Sequence, residues 1–240
     1  MSTAIPQSIL EALTNVSMPR HVTMAQPQQT LEVEGYRIPV HHSEALVVGS
    51  GAAGLRAAVE LRRRKVDVLV ATQTLFWGTS ACSGSDKQTL HTASTSFRGD
   101  NFTALANAIG AGGAMDADTA YVEAVGSVEA FIGLKSMGLP LPEDRYGAVL
   151  RYQTDHDEVG RATSCGPRTS RLMVKVLAEE AALLGVPFVD HATAVRLLTE
   201  GEGGQRRIAG VLAIVKGARQ EDNPWGLCLM RSATVVRSGR

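Results

Sequence analysis

Net charge is missing from this sequence: 24 Lys and Arg residues are matched by 24 Asp and Glu residues in a chain of 240. A balanced surface carries no electrostatic footprint for nucleic acid or for an anionic membrane. Cysteine is scarce. Cys82, Cys165 and Cys228 are an odd number, widely spaced and without a Cys-x-x-Cys pair, so neither a disulfide framework nor a zinc site reads out of them. Reduced thiols and a cytoplasmic location are the expectation. No apolar run approaches the roughly 20 residues needed to span a bilayer. The opening "MSTAIPQSILEALTNVSMPRHV" lacks the basic start and apolar core of a signal peptide. Repeats and low-complexity blocks are also absent. What is present is 44% hydrophobic and only 20% charged residues, enough to bury a core in one or two domains.

Residues 1–42 show no sustained periodicity, although "SILEALTNV" suits a short helix capped by Ser8, and they are read as an N-terminal arm or extension. The texture changes at Glu44. "EALVV" reads as a buried strand, "GSGAAG" as a turn, "LRAAVELRRRK" as a helix and "VDVLVAT" as a second strand. Leu55, Ala58 and Val59 form the helix's apolar stripe, with Glu60 four residues before Arg64. "QTLFWGTSACSGSDKQTLHTASTS" is too long for a tight connection and too apolar for a linker, which marks a functional loop. Helical spacing returns in "FTALANAIGAGG" and in "DADTAYVEAVGSVEAFIGLKSMG", capped by Asp116 or Asp118 and stopped at Gly138. A further helix, "RTSRLMVKVLAEEAALLG", ends at Gly185. "VPFVDHATAVRLLTE" and "RIAGVLAIVKG" then read as strands around the turn "GEGGQR".

Gly49, Gly51 and Gly54 stand in Gly-x-Gly-x-x-Gly register between a predicted strand and a predicted helix. The first permits the sharp turn, the second lets a pyrophosphate approach the backbone, and the third lets the helix pack on the strand. The acid expected about 20 residues on, which would bind ribose hydroxyls, falls near Ala71 or Thr72, neither of which is acidic. Thr72 is equally readable as a hydrogen-bonding partner of a ribose and as a hydroxyl that caps its strand. "GTSACSGSDKQ" places Thr79, Ser80, Ser83 and Ser85 among Gly78 and Gly84, with Lys87 beyond. Such hydroxyls and small residues suit the polar edge and the face of a flavin, although the stretch also reads as a solvated loop.

"ALVVGSGAAGLRAAVEL", "VDVLVAT" and "GTSACSG", in that order, resemble the N-terminal part of the succinate dehydrogenase, fumarate reductase and L-aspartate oxidase flavoprotein family. The likeness continues through "DADTAYVEAVGSVEAFIGLKSMGLPL", "RTSRLMVKVLAEEAALLGVPFVDHATAVRLL" and "RRIAGVLAI", from Glu44 to Val236. It implies an α/β fold: a Rossmann-like FAD-binding domain with a parallel sheet over residues 43–240, plus a β-hairpin. The cofactor implied is FAD. By matched position, Gly49, Gly51, Ala53 and Gly54 would hold the pyrophosphate and Thr72 would sit near the adenosine ribose. Thr79, Ser80, Ser83, Gly84 and Ser85 would line the flavin, while Ala194 and Val195 would offer backbone groups to the adenine.

Departures from the family pattern refine the expectation. Phe76-Trp77-Gly78 stands where many members carry a Gly-Gly pair, and Ser85 where a second Gly often follows. Ala81 stands where respiratory members carry the histidine joined covalently to FAD, so noncovalent FAD is expected. "ATVVRSGR" stops where the pattern would continue, and the family's substrate histidines, proton-delivering arginine and second FAD-binding segment lie beyond it. The expected function is a FAD-dependent oxidoreductase of the fumarate reductase and succinate dehydrogenase type, truncated to its flavin platform. A small dicarboxylate is the substrate class of complete members, and a second chain would supply the missing half or receive electrons. The alternatives are another NAD(P)- or nucleotide-binding Rossmann protein, and a non-catalytic fragment that pairs with another chain. "TEGEGG" echoes a substrate motif, but between two strand-like runs it reads as a hairpin turn. His156 reads as a solvated loop histidine, and no metal site is expected. Arg161, Arg168 and Arg171 are readable as anion ligands or as surface residues around a helix start. Cys165 carries no sign of reactivity.

Overall fold

The computed structural model of the chain describes residues 16–83, 88–94, 100–154, 157–220 and 223–238. Two compact units divide it: residues 17–83 with 177–240, and residues 84–176 with 1–16. The first unit opens with β1, Thr23–Met24, β2, Gln29–Val33, and β3, Tyr36–His42. Residues 23–42 thus form three strands in a segment where no periodicity announces them. Glu34 and Gly35, at φ 51° and 83°, make the two-residue turn between the paired Val33 and Tyr36.

The strand-helix-strand unit follows as β4, Ala45–Val48, α1, Ala52–Arg63, and β5, Val68–Ala71. Leu55, Ala58 and Val59 are buried as their spacing predicts. The expected Glu60–Arg64 pair does not form, because Arg64 is the C-cap and leaves the helical path. Glu60 pairs instead with Arg56 at 3.2 Å and Arg63 at 3.0 Å. One short helix, α2, Thr79–Cys82, lies in the Ser- and Thr-rich stretch.

The second unit holds β6, Leu90–His91, α3, Phe102–Gly110, α4, Ala117–Ser136, β7, Tyr152–Thr154, and β8, Asp157–Thr163. Asn101 caps α3 by accepting from the Ala104 amide at 3.0 Å. Asp116, rather than Asp118, caps α4 through the Thr119 amide at 3.2 Å. Gly138 at φ 91° follows the last turn of α4, a conformation that glycine adopts without steric cost. The three strands form an antiparallel sheet in the order β6-β8-β7. Leu105, Ala106, Ala93 and Ala124 are its buried apolar cluster. Helix α5, Thr169–Leu183, begins in this unit and ends in the first.

The first unit resumes with β9, Pro187–Val189, β10, Ala192–Glu200, β11, Arg207–Gln220, β12, Asn223–Arg231, and β13, Thr234–Arg237. One sheet, wholly parallel, runs β1-β9-β5-β4-β13, and a mixed sheet runs β10-β11-β12-β3-β2. Leu46, Leu69, Ala71 and Val189 from the parallel sheet pack against Val211, Ala213, Cys228 and Met230 from the mixed one. Alternate residues Val47, Val68 and Val70, also buried, point to the opposite face, where α1 packs. β10 and β11 form the antiparallel hairpin read from the sequence, and "TEGEGG" turns it, with Gly201 and Gly203 at positive φ. This α/β architecture brings the glycine turn, the end of β5 and the start of β10 to one end of the unit.

Candidate cofactor groove

The three glycines of the motif are required for different reasons. Gly49 sits at φ 105°, and a Cβ there would lie 2.5 Å from Ser238 Oγ. A Cβ on Gly54 would land on the carbonyl oxygen of Gly49, closer than any real contact. Both positions therefore serve the contact of turn, helix and strand. Gly51 is different: its φ of −75° suits any residue, and a Cβ would come no nearer than 3.9 Å to protein, at the Trp77 carbonyl. Nothing within the chain demands glycine there, so the space belongs to whatever approaches the turn from outside.

What that visitor meets is a row of amides. Gly51 is the N-cap of α1, no side chain caps it, and no acid lies in the first turn. The helices α3 and α4, by contrast, spend a side chain on their first turns. Uncapped N–H groups with the positive end of the helix dipole suit a phosphate. Ala52 and Ala53 line a groove of about 1110 Å³ that also takes in Gly49, Gly51, Thr72, Thr79, Ser80, Ala194 and Val195. Arg196 and Arg237, on β10 and β13, add positive charge to its lining.

Val195 gains a physical reason for its place. Ala194 pairs with Ala213 and Arg196 with Leu212, so Val195 is the extra residue of a β-bulge, and β10 is an edge strand. A bulged residue is left out of the ladder, which frees its backbone groups for a ligand. The residues present thus fit an adenine dinucleotide: open amides for phosphates, a space a Cβ would fill, and an unladdered strand segment.

Thr72 is 6% exposed and its backbone is spent: its N–H donates to Val189 O at 3.0 Å, and its carbonyl accepts from Ala192 N at 2.8 Å. Its N–H is therefore not available to a ligand. The side chain lies 2.9 Å from Ser50 Oγ and 3.1 Å from Thr74 O. Ser50, between the first two glycines, carries no signal in the motif, and the sequence reading passed over it.

Gly54 and Ser83 do not line the groove. Gly54 lies behind it, and Ser83 Oγ donates to Thr79 O at 2.6 Å. Gly84, Ser85, Lys87 and His156 lie outside the described residues. Phe76, in the stretch that departs from the family pattern, adopts a glycine-like φ of 59°, and its ring packs edge-on against Phe188 at 5.6 Å. Arg161 is no surface residue: it is buried in the second unit, where its anionic partners are Asp157 and Asp100. Among the described residues no cluster of His, Cys, Asp and Glu could hold a metal, and no helix is long and apolar enough to cross a membrane.

The cysteines differ sharply. Burial pushes the Cys165 thiol up to about 12 and the Cys228 thiol up to about 11, whereas Cys82 is exposed. Thiol reagent at neutral pH is expected to modify Cys82 in the native protein and the other two only as the chain unfolds; mass spectrometry of the labelled peptides checks it. The half-buried Cys165 thiol and the buried Cys228 thiol stay protonated in the fold, while in the unfolded chain they ionise near 9. Their contribution to stability is therefore complete below pH 9 and is lost as pH rises through about 11 to 12.

Over residues 44–238 the sequence matches the family described as FAD binding domain. It is similar to the 8-methylmenaquinol:fumarate reductase flavoprotein subunit of Wolinella succinogenes, 29% identical over 152 residues that cover 62% of this chain and 25% of that protein. Its fold is that of Mycobacterium smegmatis Sdh1 in complex with UQ1, with a TM-score of 0.69 at 19% identity over 83% of this chain and 34% of that one. E. coli quinol fumarate reductase FrdA gives 0.67 at 16% identity, over 83% and 32% of the two chains. The 3-ketosteroid-Δ4-(5α)-dehydrogenase of Rhodococcus jostii gives 0.62 at 21% identity, over 90% and 48%. The chain spans a quarter of the length of the curated relative and between 32% and 48% of these solved chains.

Proposed function

As the chain belongs to the FAD binding domain family and FAD is its cofactor, we propose that it serves as the flavin platform of an oxidoreductase of the fumarate reductase and succinate dehydrogenase type. The observation that carries this reading is Gly51, a glycine that nothing in the protein requires, at the mouth of an uncapped helix. Bound FAD would supply an isoalloxazine that exchanges hydride with a substrate carbon. The residues of the chain bind and orient it. Gly49, Gly51, Ala53 and the first amides of α1 hold the pyrophosphate, while Gly54 keeps the helix close enough to present them. Thr72 meets the adenosine ribose, and the bulged backbone at Val195 meets the adenine. Thr79 and Ser80 are assigned to the flavin from the groove lining, and Gly84 and Ser85 by their matched positions; Ser83, whose hydroxyl is spent on Thr79 O, is not.

Attachment is noncovalent in this proposal, because Ala81 offers no nucleophile to the flavin ring. Purified protein is expected to be yellow, and acid precipitation should release all the flavin into the supernatant; colour retained in the pellet would refute noncovalent binding. A colourless protein that binds NAD(P) instead would favour the rival nucleotide-binding reading. The substrate histidines and proton-delivering arginine that the family resemblance implies fall outside the part of the family pattern that these residues match. A partner chain is proposed to supply the substrate side. Fumarate added to the reduced protein alone should therefore leave the flavin reduced.

A further inference from the structure

Ser50 turns its side chain inward and is 1% exposed. Its Oγ accepts the Phe76 N–H at 2.8 Å, lies 2.9 Å from Thr72 Oγ1 and reaches Thr74 O at 3.3 Å. Thr72 Oγ1 reaches the same carbonyl at 3.1 Å. The two hydroxyls hold two protons between them. If Ser50 donates to Thr72, Thr72 donates to Thr74 O. If Thr72 donates to Ser50, Ser50 donates to Thr74 O. In both arrangements the two protons are used among Ser50, Thr72 and the Thr74 carbonyl, and Thr72 keeps only lone pairs for anything in the groove.

We propose that Ser50 is a positioning residue for the cofactor: it ties the phosphate turn to the loop over residues 73–78 and leaves Thr72 able to accept a hydrogen bond but not to donate one. The cofactor half of this statement rests on the FAD reading above. Phe76 is a bulky residue in the left-handed region, a conformation that persists only where its surroundings fix it. Its ring is held by Phe188 and its N–H by Ser50. That loop carries Gln73, Thr74 and Trp77 into the groove lining, so Ser50 sets where they stand through its buried side chain. The acceptor-only Thr72 selects what binds beside it. A free ribose hydroxyl brings a proton to it, whereas a phosphate ester there brings only further oxygen lone pairs. The groove should therefore favour adenosine with unesterified ribose hydroxyls over its 2′-phosphorylated form.

The test uses the full chain with Ser50→Ala and Thr72→Val. Amide hydrogen exchange at Phe76 should be at least about tenfold faster in Ser50→Ala, the equivalent of one lost hydrogen bond. It should be unchanged in Thr72→Val, which keeps the Ser50 to Phe76 bond. FAD affinity, read by flavin fluorescence, should fall about tenfold in Ser50→Ala. ADP should compete better than 2′-phospho-ADP against FAD on the wild type, and Thr72→Val should narrow that preference. Equal Phe76 protection in wild type and Ser50→Ala, or FAD affinity within about twofold of wild type, would overturn the proposal. Should Ser50→Ala not fold, the wild type alone decides: Phe76 must be protected within its loop, and exchange at the free-chain rate overturns the clamp. Wild-type protein without FAD affinity overturns the cofactor half together with the reading it rests on, while Phe76 exchange still judges the clamp.

Discussion

Gly54→Ala is expected to abolish FAD binding by breaking the fold beneath the site, and Gly51→Ala to weaken it with the fold intact. The added methyl at Gly54 would occupy the position of the Gly49 carbonyl oxygen and also press on Ser238 Oγ at 2.9 Å. Neither neighbour has room to retreat. Gly49 is itself pinned by its amide, which donates to Ala71 O at 2.8 Å, and Ser238 by its amide, which donates to Val48 O at 2.9 Å. The helix must move off the sheet, and overpacking of this kind costs about 1 to 3 kcal/mol or more. Gly51 has an ordinary φ and open space around its missing side chain, so the fold should lose no more than about 1 kcal/mol there. Its methyl would stand where the pyrophosphate must come close to the backbone, lowering FAD affinity by a factor on the order of ten to a hundred. Thermal unfolding together with flavin titration separates the two. Equal melting temperatures for both variants would contradict the division of labour among the glycines.

Asp157→Ala should destabilise the chain by about 3 to 5 kcal/mol, because it leaves a buried guanidinium short of its main counter-charge. Arg161 and Asp157 are only 5% and 4% exposed, and Arg161 Nη1 donates to Asp157 Oδ1 at 2.8 Å. The same carboxylate accepts the Arg161 backbone N–H through Oδ2, so its loss strands two donors. Asp100 remains on Nε, which keeps the cation from being wholly unpaired. Asp157→Asn retains the shape and one acceptor while dropping the charge, and should cost less. Urea unfolding with an unchanged m-value is the measurement. A loss below about 1 kcal/mol would mean that water reaches the guanidinium in solution.

What could be read from sequence was what is encoded over one or two turns of chain. The glycine spacing, a cap at Asp116 or Asp118, and the hairpin at Gly201 and Gly203 each follow from neighbours a few residues apart. β1, β3 and β12 escaped because their pairing is distant: Thr23 meets Pro187, and Val40 meets Leu229. "NPWGLCLMR" even carries a proline at its second position and a glycine, both poor strand signals, and it is held by partners on both sides. At the site, the residues that shape the groove by backbone were legible as glycines. Ser50 was not, since spacing says nothing about which way a turn side chain points. Arg161 was misjudged for a similar reason, as Asp100 stands far from it in sequence.

The pairing of β13 with β4 bears on how the protein is made. Thr234–Arg237 lies beside Ala45–Val48 in the parallel sheet, so the first strand of the glycine motif waits until Thr234–Arg237 has left the ribosome. Until then β4 presents an unpaired, apolar edge, and the Ser238 contact that seats Gly49 cannot exist. Parallel pairing across such a separation is slow to find. The nascent chain should therefore carry its nucleotide turn unformed until β13 emerges, a period in which chaperone protection matters more than for a protein whose sheet closes in the order it is translated.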